Sequence, residues 1–229
     1  MPEGKRLGRV VLTNTSRVMY PELNLTKLDV VEYYLRIAPH ILRHLGNRAL
    51  VLQRFPDGVS APGFYEKDAP GGTPAWVHLY RHHSVSARRD LHYIVCDSPD
   101  TLIWLANLAA IELNIPLARL DDPESPDLLL FDIDPEPPAG FREGVTVALA
   151  LREMLADLGL VSFVKTSGKK GLHVVIPLAG GYRFSNTRNF VHAVGSLLAR
   201  ESPLVVSELS QTHDPGKVFI DYLQNSAWK

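Results

Sequence analysis

The segment Leu128-Leu129-Leu130-Phe131-Asp132-Ile133-Asp134-Pro135 carries the strongest structural signal in this 229-residue chain. Its first half is a continuous apolar run, which predicts a buried strand. Side chains alternate along a strand, so Asp132 and Asp134 are expected to project from one face. Two carboxylates held this close raise each other's pKa unless a cation neutralises them, and their hard oxygen atoms suit Mg²⁺ or Mn²⁺. A strand-end turn with two solvated acids is the alternative.

A glycine- and lysine-rich segment, Ser167-Gly168-Lys169-Lys170-Gly171, follows between two segments of strand-like composition, residues 160–164 and 173–176. The glycines let the backbone approach a ligand closely, and successive N–H groups in such a turn form an anion-binding nest. With Ser167 and His173 at the two strand ends, the segment resembles a phosphate cradle. The Walker A spacing is absent, and an ordinary hairpin loop is the alternative.

A third strand is predicted in Lys217-Val218-Phe219-Ile220-Asp221-Tyr222-Leu223-Gln224. By alternation Asp221 shares a face with Phe219 and Leu223, and a carboxylate on an apolar face needs a partner. That partner is a lysine or arginine in the simplest interpretation. Combined with the two segments above, Asp221 instead completes a site with carboxylates for two metals and a polyphosphate cradle, which is the arrangement that phosphoryl transfer requires.

Composition limits the classes of function. The chain has 24 lysine and arginine residues and 25 aspartate and glutamate residues, which gives a net charge of −1. Any DNA binding must therefore depend on local patches of positive charge. The one cysteine, Cys96, excludes an internal disulfide. The sequence shows neither an apolar stretch of bilayer length nor a signal-peptide pattern, so we expect a cytoplasmic protein without membrane association.

The order of strand, helix, strand, loop and strand around the acidic segment predicts an α+β fold with helices packed on a mostly antiparallel sheet. We expect a single domain, with an N-terminal αβ lobe over residues 1–120 and a catalytic lobe over residues 121–229. Start and stop signals predict four helices: from the Thr26 cap to Gly46, from Ser98-Pro99 to about Asn114, from about Arg142 to Leu158, and from about Ser185 to Arg200.

The order and spacing of three motifs resemble those of a known family. The three motifs are Asp-x-Asp, then Ser-Gly-x-Lys-Gly-x-His, then a strand aspartate followed by Tyr-x-Gln-Asn. In this order they resemble the polymerase domain of bacterial DNA ligase D, which belongs to the archaeo-eukaryotic primase superfamily. The resemblance extends from Thr13-Asn14 to the last residue. It implies a primase-like catalytic core with the N-terminal lobe attached.

The resemblance implies a template-dependent nucleotidyltransferase that fills short gaps during non-homologous end joining. The implied cofactors are two Mn²⁺ or Mg²⁺ ions. The implied substrate is a nucleoside triphosphate (NTP or dNTP, with ribonucleotides preferred), and the implied protein partners are Ku and a DNA ligase. The implied metal ligands are Asp132, Asp134 and Asp221. The implied nucleotide-binding residues are Ser167, Lys170, His173, Arg54, Gln224 and Asn114, the last standing where many family members have histidine.

The implied DNA substrate has gaps or ends that carry a 5′-phosphate. Asn14, Arg17 and Lys27 resemble the family's contacts to that phosphate. Phe64 and Tyr65 resemble residues that pack against the template, because aromatic faces stack on bases without sequence preference. Alternatively, Phe64 and Tyr65 are two core aromatics at the start of a strand. For Arg54, the alternative to nucleotide binding is a solvated charge.

The chain stops at Lys229, where members of the resembled family usually continue into a strand with a triphosphate-binding arginine. The strand containing Asp221 is therefore expected to be a sheet edge with unpaired backbone groups, and primer extension is expected to be weak. Two other functions stay open. One is a non-catalytic module that binds DNA ends, and the other is a metal-dependent phosphohydrolase.

Overall fold

The computed structural model describes Gly4 and residues 6–228. The chain divides into two compact units, Met1–Pro116 and Leu117–Lys229, and each has its own hydrophobic core. No helix among the described residues is both long enough and apolar enough to cross a membrane. The fold class is α+β, as the sequence predicts.

The first unit combines two helices with small antiparallel sheets. The helices are α1 (Lys27–Leu45) and α2 (Pro99–Asn107). The strands are β1 (Arg6–Leu7), β2 (Val10–Val11), β3 (Val18–Tyr20), β4 (Leu25–Thr26), β5 (Val51–Arg54), β6 (Phe64–Glu66), β7 (His78–Ser84), β8 (Arg89–Val95) and β9 (Ala110–Asn114). Strands β6, β5 and β9 form a three-stranded sheet in that order, and β1–β2, β3–β4 and β7–β8 are two-stranded pairs.

Helix α1 begins as its sequence predicts. The backbone N–H of Thr26 donates to the Asp29 carboxylate at 2.6 Å, and the N–H of Asp29 donates to the Thr26 hydroxyl at 3.3 Å. This reciprocal capping box satisfies two N–H groups that a helix start otherwise leaves without partners. The helix buries a stripe that includes Val31, Tyr34 and Ala38, the spacing of a helix with one face on the core.

The second helix is shorter than predicted. It ends at Asn107, and the residues up to Asn114 form β9 instead. The backbone of Ala109 adopts a left-handed conformation with φ of 58°, which ends the helix and redirects the chain. Leu113 of β9 then pairs with Leu52 of β5. Pairing with β5 therefore overrides the local apolar pattern on which the longer helix was predicted.

The second unit is a five-stranded sheet with two helices. The strands are β10 (Leu128–Pro135), β11 (Phe163–Thr166), β12 (Leu172–Pro177), β13 (Val205–Val206) and β14 (Val218–Asp221), and the helices are α3 (Phe141–Asp157) and α4 (Phe184–Glu201). The strand order is β11-β12-β10-β14-β13. All neighbours are antiparallel except β13 and β14. The predicted third and fourth helices are confirmed to within two residues at each end.

Alternation along β10 separates a core face from an acidic face. Leu129, Phe131 and Ile133 belong to the core cluster that includes buried residues of α3 and α4. Asp132 and Asp134 alternate with these residues and therefore project from the opposite face of the strand. The predicted buried strand and its two carboxylates on one face are confirmed.

Strand β14 is not an edge, so the expectation of an exposed edge is wrong. It lies between β10 and β13, with Ile133 opposite Ile220 on one side and Val206 opposite Phe219 on the other. The sequence prediction missed β13 because a two-residue strand leaves almost no pattern. The regular strand ends at Asp221, and the next three residues form a 3₁₀ turn, Tyr222–Gln224.

The fully buried side chain of Asn225 continues the pairing of β10 beyond the end of β14. Its carboxamide oxygen accepts from the N–H of Leu130 at 3.1 Å, and its nitrogen donates to the carbonyl of Leu130 at 2.7 Å. One side-chain amide thus takes the place of a strand backbone. Arg188 of α4 donates to the Asn225 carbonyl at 3.4 Å and to the Ser226 hydroxyl at 2.8 Å, which anchors the segment that follows Asp221.

Candidate active site

Four polar residues form one row across the sheet of the second unit. Lys165 of β11 is opposite His173 of β12, His173 is opposite Asp132 of β10, and Asp132 is opposite Asp221 of β14. Directly opposed residues share a face of the sheet, so these four side chains, here called the cross-strand row, project together. Three of the predicted site residues, Asp132, Asp221 and His173, are therefore neighbours in register.

Asp134 lies on the same face, two residues beyond Asp132. Desolvation raises the pKa of its carboxyl group, the nearby Lys170 lowers it, and Asp221 and Glu136 raise it further. Burial and like charges thus both disfavour the ionised form. A cation between these acids would remove that penalty.

The other two carboxylates have protein partners. Asp132 Oδ1 lies 3.4 Å from His173 Nε2, and its side chain is only 12% exposed. Asp221 accepts from the Leu223 N–H at 2.8 Å through Oδ1 and from the Gln224 side chain at 2.9 Å through Oδ2. Gln224, a predicted nucleotide-binding residue, therefore fixes the orientation of Asp221 in this structure.

These residues fit a divalent cation in their donor chemistry. Their oxygen atoms are the ligands that Mg²⁺ and Mn²⁺ prefer, and the charges share one face. As the side chains stand, no three His, Cys, Asp or Glu residues within the described part of the chain converge closely enough to hold an ion. The strand register thus supplies the acids on one face, where Asp132 contacts His173 and Asp221 is hydrogen-bonded to the Leu223 N–H and to Gln224.

The predicted phosphate cradle connects β11 to β12. The N–H groups of Lys169 and Gly171 donate to the Ser167 hydroxyl at 3.4 and 3.1 Å, so two loop amides point toward one oxygen position. Gly168 has φ of 94°, a conformation that favours glycine. A Cβ atom on Gly171 would lie 2.2 Å from the carbonyl oxygen of Ile133, so the loop backbone packs directly on the acidic strand.

The cations of this region differ in their partners. Lys170 Nζ lies 3.2 Å from Glu136 Oε2. Lys165 donates to the Thr166 carbonyl at 3.2 Å, and partial desolvation lowers the pKa of its ammonium group, against the opposing charge of Asp132. Desolvation, with a contribution from Lys165, lowers the pKa of His173 to about 4. A neutral imidazole beside Asp132 can donate or accept a hydrogen bond at neutral pH.

In the first unit, the residues predicted to bind a 5′-phosphate are joined by backbone hydrogen bonds. The Arg17 N–H donates to the Asn14 carbonyl at 3.1 Å, and the Lys27 N–H donates to the Arg17 carbonyl at 2.7 Å. Desolvation, together with the charges of Arg17 and Arg54, lowers the pKa of Lys27 to about 8. The three residues, here called the basic turn, form the kind of local positive patch that a chain of net charge −1 needs to bind a phosphate.

The side chains of the basic turn have protein contacts of their own. Lys27 Nζ donates to the Asn107 carbonyl at 2.6 Å. The Arg17 guanidinium donates to the Pro56 carbonyl at 2.8 Å and forms an ion pair with Asp57. A phosphate at this site would compete with Asp57 for Arg17.

Phe64 and Tyr65 are exposed residues of β6, at 44% and 61%, so the interpretation as two core aromatics is wrong. Both aromatic side chains therefore reach solvent. The side chain of Arg54 is only 16% exposed, lies 2.9 Å from Glu66 Oε2 and stands 5.3 Å from the centre of the Phe64 ring. Arg54 is therefore not a solvated charge, and it supports the position of Phe64.

Asn114 ends β9, and its side chain donates to the Val51 carbonyl at 3.2 Å. The sequence prediction did not include Lys165 or Asn225 among the site residues. A hairpin register counted outward from the glycine loop places Lys165 opposite His173, so this signal was present. The buried contacts of Asn225 had no comparable signal, because they depend on how the 3₁₀ turn folds back onto β10.

Comparison with known proteins identifies the family. The family model of the LigD primase-polymerase domain matches residues 26–229. The chain is 36% identical over 230 residues to the multifunctional non-homologous end joining DNA repair protein LigD of Mycobacterium tuberculosis. This match covers 96% of the chain. Identity to the multifunctional non-homologous end joining protein LigD of Mycolicibacterium smegmatis is 32% over 228 residues, covering 98% of this chain. The chain spans 30% of the length of each of these relatives.

A solved structure also matches. The polymerase domain of Mycobacterium tuberculosis ligase D, in complex with DNA, superposes with a TM-score of 0.87 at 33% identity, covering 96% of this chain and 79% of that chain. Both the sequence and the fold lead to the same assignment. The chain belongs to the LigD primase-polymerase domain family.

Proposed function

We propose that this chain is a metal-dependent nucleotidyltransferase that extends a primer 3′-OH on a DNA template and fills short gaps during end joining. The observation that carries the proposal is the register of Asp132 against Asp221, with Asp134 on the same face. Membership of a primase-polymerase family supports the reaction class. The names of the relatives, which are end-joining proteins, support the repair role.

The reaction joins the primer 3′-oxygen to the α-phosphorus of a nucleoside triphosphate. The bond between that phosphorus and the β-phosphate oxygen breaks, pyrophosphate leaves, and the proton of the 3′-OH passes to solvent. Two Mg²⁺ or Mn²⁺ ions, when bound, lower the pKa of the 3′-OH and neutralise the leaving pyrophosphate. Asp132, Asp134 and Asp221 are the proposed ligands, because their oxygen atoms share one face.

The remaining residues bind and orient the substrate. Ser167, Lys170 and His173 hold the triphosphate beside the acids, which places the α-phosphorus for in-line attack. Gln224 orients Asp221 through its 2.9 Å hydrogen bond. Arg54 and Asn114, in the first unit, are further proposed nucleotide contacts.

The proposed DNA substrate carries a downstream 5′-phosphate. The basic turn supports this, because backbone hydrogen bonds join Asn14, Arg17 and Lys27, and the positive charges of Arg17 and Lys27 are close enough to interact. Exposed Phe64 and Tyr65 supply stacking faces for the template. The matched structure of the Mycobacterium tuberculosis polymerase domain is a complex with DNA. Ku and a DNA ligase are the proposed protein partners, and ribonucleotides the proposed preferred substrates.

Primer extension on a gapped duplex tests the proposal. The duplex has a single-nucleotide gap with a 5′-phosphate, and each of the four NTPs and dNTPs is supplied separately with Mn²⁺ or Mg²⁺. We expect addition of the nucleotide complementary to the template base, with NTP favoured over dNTP and no product with EDTA. Tight gap binding without any addition would identify a non-catalytic end-binding module. Release of phosphate from NTP without primer extension would identify a phosphohydrolase.

A further inference from the structure

Lys165 shares a sheet face with the proposed catalytic acids. It is opposite His173, which is opposite Asp132. Opposed residues in adjacent strands stand side by side on the same face, so Lys165 is the basic end of the cross-strand row and Asp221 is its acidic end.

The ammonium group of Lys165 contacts the backbone one residue before the phosphate cradle begins. Its Nζ donates to the carbonyl of Thr166 at 3.2 Å, and Thr166 immediately precedes Ser167, where the cradle begins. The group also interacts electrostatically with Asp132 and with His173. The positive charge is therefore next to the start of the cradle and within electrostatic range of Asp132 and His173.

Lys165 and Lys170, two of the cationic residues that border the site, differ in what an anion must displace. Lys170 is already paired with the Glu136 carboxylate at 3.2 Å, so a phosphate must compete with a full negative charge. Lys165 donates to a neutral carbonyl, so a phosphate oxygen that replaces this partner need not displace a carboxylate. An ammonium group whose partner is a neutral carbonyl therefore gains more from an incoming anion than one that must first leave a carboxylate, because it has no ion pair to give up.

We propose that Lys165 is a further nucleotide-binding residue, whose ammonium group binds a non-bridging oxygen of the triphosphate between the cradle and Asp132. This inference deepens the proposed function and rests on it. Lysine binds phosphate as a compact point charge, so arginine at this position should keep part of the affinity, whereas a neutral side chain of similar length should lose it.

Nucleotide binding without turnover provides the test. The probe is the α,β-methylene analogue of ATP with Mn²⁺, titrated by calorimetry into the whole chain. Lys165→Met should raise the dissociation constant about tenfold or more, and Lys165→Arg should raise it no more than about threefold. Lys165→Gln serves as a second neutral variant, and thermal unfolding of each variant confirms that it is folded.

Lys217→Met is the matched control. The Lys217 ammonium also donates to a backbone carbonyl, that of Pro203 at 2.6 Å. It lies four residues before Asp221, about 13 Å away along an extended strand. We expect this variant to bind the analogue as the wild type does, so a loss confined to Lys165 is specific to the cross-strand row.

Primer extension on the same proteins separates this inference from the proposed function. If Lys165 binds the triphosphate in the ground state, Lys165→Met should raise KM for NTP with a smaller change in kcat. Unchanged analogue affinity in folded Lys165→Met or Lys165→Gln would overturn the Lys165 inference, even with wild-type extension intact. If the wild type binds the analogue but extends no primer, the proposed function fails, and the affinities still decide the role of Lys165. If the wild type does not bind the analogue, both are overturned.

Discussion

Asp132 and Asp221 are directly opposite each other on adjacent antiparallel strands, although they are distant in sequence. The pairing continues as Ile133 opposite Ile220, two fully buried side chains of the core below the acidic face. Packing on one face therefore fixes the register that places the carboxylates on the other, because a slip of one residue would move every side chain to the opposite face.

Asn225 should contribute strongly to the stability of the second unit. Its carboxamide makes three hydrogen bonds, to both backbone groups of Leu130 and to the Tyr222 carbonyl at 3.3 Å. Asn225→Ala leaves buried backbone groups of β10 without partners, so we expect a loss of about 2–4 kcal/mol in the free energy of unfolding. Urea denaturation measures it.

Gln224→Ala is the comparison for that variant. Gln224 is half-buried, and its amide bonds the Asp221 carboxylate, so we expect a stability loss below about 1 kcal/mol. Its effect should appear in primer extension, because the orientation of Asp221 is released. Equal destabilisation by the two variants would show that the buried amide of Asn225 has no special role.

Gly171 should not tolerate even alanine. The added methyl group would meet the Ile133 carbonyl oxygen at 2.2 Å, and this neighbour is backbone of the central strand, which cannot turn aside. We expect Gly171→Ala to displace the cradle and to reduce nucleotide affinity about tenfold or more. Gly71→Ala is the control, since its Cβ would meet no atom within 4 Å. Wild-type affinity in Gly171→Ala would show that the loop adapts.

Binding of a 5′-phosphorylated gap should weaken as pH rises above about 8. Lys27 has a pKa near 8 in the free protein because of desolvation and the charges of Arg17 and Arg54. A bound phosphate favours the charged ammonium, which raises this pKa in the complex, so binding takes up a proton and affinity falls as pH rises through the free-protein value.

Fluorescence anisotropy with phosphorylated and unphosphorylated gaps, from about pH 7 to about 9.5, measures this dependence. Lys27→Arg should remove it, because arginine stays charged throughout. The unphosphorylated gap should show little change. An equal pH dependence for both gaps would mean that Lys27 does not meet the 5′-phosphate.

Sequence patterns within a few neighbouring residues predicted those elements of the fold whose conformation depends on neighbouring residues. The apolar run of β10, the Thr26 cap of α1 and the Ser98-Pro99 start of α2 each carry their signal within a few residues. The failures depend on distant partners. Residues 110–114 form a strand because β5 is beside them, and β14 is an interior strand because two residues of β13 pair with it.

The candidate site follows the same division. Alternation predicted that Asp132 and Asp134 share a face, and the family motifs added Asp221 and the cradle. The partners of these side chains, such as Gln224 for Asp221 and Glu136 for Lys170, depend on folded geometry. The position of Lys165 beside His173 depends on the register of the β11–β12 hairpin.

The central claim is that the acids on one sheet face carry out nucleotidyl transfer, and single-turnover primer extension with Mn²⁺ tests it most directly. Wild type is compared with Asp132→Asn and Asp221→Asn, which keep the size of each side chain and remove its charge, while anisotropy monitors binding to the same phosphorylated gap. We predict that either variant lowers the extension rate by at least about a hundredfold with gap affinity within about twofold of wild type. Extension by Asp132→Asn above about a tenth of the wild-type rate would contradict the account.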